Sequence, residues 1–167
     1  MTEKLKNIIA CLDMQGFYVN DKFVPREIAL VNDEICARDC IKTGLSLETL
    51  SEIDIGRCLY LSHHFHGLGL DPSNDDAVTL EEVLEHIKSY VTPTETNYFG
   101  VKNHMLEKLL TDNGIPYLDL NEIGCPSVRF LDSMYNQDCN CKHHEKSPVY
   151  RCALRKCKNL WKWVKQV

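Results

Sequence analysis

The chain has 167 residues, 44% of them hydrophobic and 26% charged, with a formal net charge of −5 at neutral pH. That length suits one domain, residues 1–167, able to bury about two-thirds of its unfolded surface, and the composition is that of a folded rather than a disordered protein. The acidic balance argues against a generally basic nucleic-acid binder, and no apolar run approaches the roughly 20 residues needed to span a bilayer.

The opening "MTEKLKNIIACLDMQ" sets acid and base before a short apolar run and shows no small-residue cleavage site, so no secretory signal is expected. Residues 7–12 read as a buried strand running up to Asp13. Asn20 and Asp21 supply a turn, and "FVPREIALV" resumes as a second strand with Pro25 near its start, which suits an edge. A third strand is expected around "CLYLSHHF". "TLEEVLEHIKSYV" is the clearest helix: Thr79 and Glu82 form a capping box, and Leu80, Val83, Leu84, Ile87 and Val91 make one apolar stripe. "TNYFGV" is a strand. "NHMLEKLLTDNG" is a helix with Asn103 as cap and Gly114 past its end. "IPYLDL" is another strand, and "CPSVRFLDSMY" opens a helix near Pro126. The last helix is expected to be capped by Ser147, with Pro148 in its first turn and Val149, Ala153, Cys157, Leu160 and Val164 on its buried face. Trp161 and Trp163 read as core anchors. Together these elements predict an α/β fold, a mixed sheet with helices on its faces.

Nine cysteines spread through apparent strands and helices suit reduced, buried thiols in a cytoplasmic or nuclear chain better than a disulfide framework. Charge is uneven. From Lys142 onward there are eight of the 19 basic residues and only one of the 24 acids, Glu145. Such a segment reads either as the solvated face of a helix or as a local seat for a phosphate backbone.

The element order resembles the RNase H-like fold of the DEDD exonucleases, in which an Asp-x-Glu pair on the first strand and further acids hold catalytic metal ions. "PREIALV" is similar to the family's second strand, "FHGLGLDPSNDDAVTLEEVLEHI" to its turn and following helix, "YFGVKNHMLEKLL" to its middle motif and "YRCALRKCKNLW" to its last one. Asp13 matches the first acid. Gln15 stands where the glutamate would be, Glu107 is the nearest acid in the middle motif, Arg151 takes the histidine position and Lys156 the final aspartate position. Divalent ions need several anionic oxygen ligands, so DEDD-type exonuclease activity is not expected. A nuclease built on Asp13 with Asp119 or Asp132 is the version of that chemistry still open.

"CNCKHHEKSPVYRCAL", residues 139–154, concentrates metal ligands. Cys141, His144 and Cys152 offer thiolate and imidazole, which suit a four-coordinate structural Zn2+ site; a fourth ligand would come from elsewhere in the chain, or from Cys139, His143 or Cys125. The competing reading packs Cys152 in the core and leaves the histidines on a loop. "HHFHG", residues 63–67, is a rival cluster, read as strand and turn.

Cys141, His144 and Glu145 followed by Cys152-Ala-Leu resemble the Maelstrom domain, an RNase H-like fold without the DEDD acids. In place of those acids the family carries a Glu-Cys-His-Cys zinc set. The resemblance implies Glu27, Cys141, His144 and Cys152 as zinc ligands, with Glu27 matched through the strand pair Glu27-Ile28. It further implies an RNA-binding module of small-RNA-guided transposon silencing, with single-stranded RNA and silencing-pathway proteins as partners and cleavage of single-stranded RNA by a non-DEDD route. The candidate RNA surface is Lys142, Arg151, Arg155, Lys156, Lys158 and Lys162. The chain departs from the fuller family in having no HMG-box-like basic region ahead of the domain, so an isolated domain or a shorter relative is expected. The reading from a different class is a catalytically dead exonuclease fold used as a protein-interaction scaffold, which the net acidity suits.

Overall fold

The computed structural model describes residues 3–73, 76–135 and 151–167. Its centre is a five-stranded mixed sheet in the order β3-β2-β1-β4-β5. Strand β1 (Ile8–Val19) pairs antiparallel with β2 (Lys22–Val31), and β2 pairs antiparallel with β3 (Cys36–Cys40). On the other side, β4 (Tyr98–Val101) runs parallel to β1, and β5 (Tyr117–Asp119) runs parallel to β4. The α-helices are α1 (Glu3–Lys6), α2 (Glu52–Leu61), α3 (Leu80–Ser89), α4 (His104–Asp112), α5 (Val128–Tyr135) and α6 (Ala153–Gln166).

The β1–β2 hairpin turns on Asn20 and Asp21, whose φ angles of 50° and 58° are those of a two-residue turn matched to strand twist. The register shifts between Gln15 and Gly16, so Gln15 faces Glu27 while Gly16 faces Pro25. This bulge explains the proline. Strand β2 is internal rather than an edge, but its pairing with β3 ends at Glu27, so Pro25 owes no amide to the ladder. Glycine is required opposite it, because a Cβ on Gly16 would lie 2.2 Å from the Val24 carbonyl oxygen.

Period-two alternation then sorts the strands. Leu12, Met14, Ile28 and Leu30 face one layer, where Val83, Leu84 and Ile87 of α3 and Leu106 and Leu110 of α4 complete the core. Both helices carry the caps their sequences predict. Thr79 and Glu82 form the reciprocal capping box, and the Asn103 side chain accepts from Met105 and Leu106 N–H. Gly114 follows α4 at φ +65°. The opposite residues, Cys11, Asp13, Glu27, Ala29 and Val31, face α6, where Ala153, Cys157, Leu160 and Val164 are buried as the stripe predicts. Trp163 is buried beside them, and Trp161 donates Nε1–H to Asp33 at 2.9 Å. Hydrogen bonds from Lys165 and Trp161 hold the Asp33 carboxyl below its usual range.

Two elements differ from the sequence reading. "CLYLSHHF" is not a strand: it lies in α2 and a single π-helical turn, Ser62–His66. The Ser51 side chain caps Asp54 N–H, and that cap sets a helix going before the apolar run begins. The third strand is instead "CARDC", β3, which pairs through its backbone and shows little apolar signal. The last helix starts at Ala153 with Cys152 as N-cap, and the cap predicted at Ser147 lies outside the described residues. No helix among the described residues is long and apolar enough to cross a membrane.

Candidate functional site

The α6 face of the sheet carries three charged or polar strand residues where a core would ordinarily be apolar: Asp13, Gln15 and Glu27 are all buried. Burying a carboxylate is costly unless it is paired, so what each acid meets defines the site.

Asp13 meets Lys156. The lysine Nζ lies 2.8 Å from Oδ1, with the carboxylate fully buried and the lysine largely so. Asn103, from the cap of α4, also donates to Oδ1 at 3.3 Å and to the Met14 carbonyl at 3.0 Å. Among the described residues Oδ2 has no hydrogen-bond partner. Burial pushes the Asp13 carboxyl above its ordinary value, and Lys156 and Asn103 pull it back. The ammonium of α6 thus lies directly against the acid of β1. Glu107 does not join them: it faces the His104 ring on α4, 3.6 Å away. Asp119 accepts from the backbone and side chain of Asn121, and Asp132 from Asn159 at 2.7 Å. Among the described residues these acids do not gather into a metal-binding cluster.

Glu27 meets Arg38 and the start of α6. Arg38 Nε lies 2.5 Å from Oε2, and the Ala153 N–H donates to Oε1 at 3.1 Å. Arg38 also reaches the Cys40 sulfur, 3.0 Å from Nη1. The Ala153 bond places Glu27 against the N-terminus of α6, next to buried Cys152. Two of the four ligands implied for zinc are thus brought to one place, a buried carboxylate and a buried thiol. Cys141 and His144, with Cys139, His143 and Lys142, lie outside the described residues. Among the described residues no three ligating side chains form a metal cluster. A hard oxygen and a soft sulfur held at a helix start fit half of a mixed Zn2+ set.

The rival clusters resolve differently. His63 and His64 are exposed, whereas His66 is buried and uses both ring nitrogens. Leu68 N–H donates to Nδ1 at 3.1 Å, which leaves Nε2 to donate to the Gly16 carbonyl at 3.1 Å. Cys11, Cys125 and Cys157 are core thiols, and burial raises all three, Cys125 to about 11. Such thiols are poor nucleophiles and poor ligands. All seven described cysteines are free of disulfides.

Beside the Asp13–Lys156 pair, α5 and the start of α6 enclose a recess of about 210 Å3. Gln15 and Lys156 line it together with Arg129, Asp132, Arg151 and Arg155. Three of the six residues predicted to meet RNA, Arg151, Arg155 and Lys156, converge here. Lys158 and Lys162 lie outside its walls, and Lys162 Nζ stands 5.7 Å from the Tyr135 ring centre. The Arg151 guanidinium lies over the Phe65 ring, 4.6 Å from its centre, and the backbone N–H of Arg151 donates to the Phe65 carbonyl, so the π-helical turn holds the residue in place. Arg155 lies 3.8 Å from Asp132. Arg129 went unnoticed in the sequence, since nothing local marks it, and only the packing of α5 against α6 turns it into the recess. Arg129 and Arg151 are exposed, with no carboxylate within salt-bridge distance among the described residues. With Lys156 on Asp13 and Arg155 near Asp132, Arg129 and Arg151 leave the recess with a net positive lining.

No family model, curated protein or solved structure matches this chain.

Proposed function

We propose that the chain is an RNA-binding module on an RNase H-like fold that has given up the DEDD metal site, resembling the Maelstrom domain. The recess between α5 and α6 holds phosphates of single-stranded RNA. One observation carries this reading: Lys156 delivers an ammonium to Asp13 at 2.8 Å, while Arg129, Arg151 and Arg155 gather at the mouth of the same recess. A cation from the protein neutralises the acid a metal would otherwise need, and guanidinium forks are suited to phosphate oxygens. The element order supports the fold: an antiparallel three-stranded meander followed by two parallel strands, with helices between. Action in small-RNA-guided transposon silencing, in cytoplasm or nucleus and beside silencing-pathway proteins, follows from the Maelstrom resemblance and belongs to the same proposal.

A change of both Arg129 and Arg151 to alanine lowers affinity for a single-stranded RNA by about tenfold per arginine, on the usual scale for charge-assisted hydrogen bonds. Fluorescence anisotropy reads this, and an unchanged Kd refutes the assignment of the recess. Gel analysis of the same mixtures reports whether the RNA is also cut by a non-DEDD route.

Zinc belongs to this proposal as a structural ion. Glu27 and Cys152, with Cys141 and His144, would hold it, and it would fasten β2 to the start of α6. Four protein ligands leave no open position for a reacting water. The purified chain is expected to carry about one zinc, lost in Cys141→Ser and in Cys152→Ser, with a lower melting temperature after chelation. A parent free of zinc yet fully folded contradicts the ligand set.

A further inference from the structure

The recess between α5 and α6 has a closed end as well as a mouth. Arg129 and Arg151 stand exposed at the mouth, whereas Gln15 and Cys152, which line the same recess, are buried. Gln15 is only 8% exposed. Among the described residues no donor or acceptor meets its side-chain amide, although Asp13 and Glu27 on the same face of the sheet are both paired. A buried amide without partners is costly, so an amide kept at the closed end of a cavity points to a polar group that enters from outside. The register of β1 against β2 also shifts at this residue, between Gln15 and Gly16, the kind of bulge that re-aims a side chain beside a site.

Charge and size narrow the ligand. Lys156 is taken up by Asp13, and Arg155 lies 3.8 Å from Asp132. Two charges of the lining, those of Arg129 and Arg151, are then left without a carboxylate among the described residues. A phosphodiester inside a chain brings one negative charge. A phosphate monoester at a chain end brings close to two at neutral pH, with three acceptor oxygens. The volume of about 210 Å3 lies under the roughly 300–1,000 Å3 of pockets that enclose a whole small molecule. Such a recess suits a group that enters end-first better than a chain that must leave on both sides.

We propose that the recess is a pocket for a terminal phosphate monoester of single-stranded RNA, with Gln15 as the residue that selects a phosphorylated end. Its amide NH2 donates to the innermost oxygen, and the guanidinium groups of Arg129 and Arg151 take the outer ones. The proposal rests on the RNA reading above and names the part of the RNA that enters.

The test is an anisotropy titration of the full chain in magnesium-free buffer with one internally labelled single-stranded RNA in three forms: 5′-phosphate, 3′-phosphate and hydroxyl at both ends. One phosphorylated form is expected to bind about tenfold tighter than the hydroxyl form, and which one it is identifies the end that enters. Gln15→Met keeps the side-chain volume and removes the amide, and is expected to reduce that preference to about threefold or less. The comparison of the three RNAs on the parent decides the proposal even if the variant does not fold. Three forms that bind the parent within about twofold of one another overturn it; if the Arg129→Ala, Arg151→Ala double variant still weakens all three, the RNA reading stands and only the end reading is lost. No binding of any form overturns both. A folded Gln15→Met chain that keeps the full preference overturns the assignment to Gln15.

Discussion

Replacing Lys156 by methionine lowers the unfolding free energy by about 3–5 kcal/mol, the range seen when one partner of a buried ion pair is removed. The reason is what remains. Asp13 is fully buried, its Oδ2 has no partner among the described residues, and without Lys156 only the Asn103 amide faces Oδ1. For a chain of this size that loss corresponds to roughly 6–20 °C in Tm. Asp13→Asn combined with Lys156→Met recovers most of it, because the charge and its counter-charge leave together.

The pH dependence carries a definite sign. Burial raises the Asp13 carboxyl in the folded state. Its contribution to stability is then complete below the unfolded value of about 3.9 and is lost as pH rises through the folded value. Lys156→Met removes the main influence holding that value down, so the variant loses more stability than the parent as pH rises above the unfolded value. Urea denaturation at several pH values measures both effects. A variant as stable as the parent, with the same pH profile, would show that the pair does not hold the two elements together.

The second large effect is at Glu27. Glu27→Ala strips Arg38 of its buried carboxylate and the Ala153 N–H of its acceptor, and is expected to destabilise the fold by about 3–5 kcal/mol. Glu27→Gln keeps an oxygen for Ala153 and loses only the charge, at about 1–3 kcal/mol. A paired change, Glu27→Met with Arg38→Met, separates the two roles assigned to this acid. If the ion pair alone mattered, the double variant returns close to the parent. If Glu27 also holds zinc, the double variant stays destabilised and metal-free. The zinc reading predicts the second outcome, measured by denaturation beside metal content.

How far the sequence carried the fold depended on how local each signal was. The hairpin through Asn20 and Asp21, the capping box on α3 and the Asn103 cap on α4 are written within a few residues, and all three are present. "CLYLSHHF" misled because apolar and β-forming residues crowd together there, while the signal that decides its helix, Ser51 capping Asp54, lies upstream. Strand β3 was missed for the opposite reason: Arg38 and Asp39 give it a polar look, and its place comes from backbone pairing with β2.

The candidate site divides the same way. Residue types single out Asp13 and Lys156 separately. That the Lys156 ammonium would reach Asp13, 143 residues earlier in the chain, is a product of α6 packing across β1. Arg129 had no sequence signal at all. Glu27 was named through a short strand resemblance. Its hydrogen bond from the Ala153 N–H, which no strand motif carries, comes from the packing of α6 on β2.

The proposed binding of single-stranded RNA at the recess, through its phosphates, needs no divalent ion. Its most direct test is an anisotropy titration of a fluorescent single-stranded RNA in magnesium-free buffer across a range of salt concentrations. With Arg129 and Arg151 and at most one further cation on phosphates, log Kobs is expected to fall against log salt with a slope of about −1.4 to −2, and the Arg129→Ala, Arg151→Ala double variant to lose about 1.4 of that slope. Binding that needs magnesium, or a slope the double variant leaves unchanged, would contradict the account.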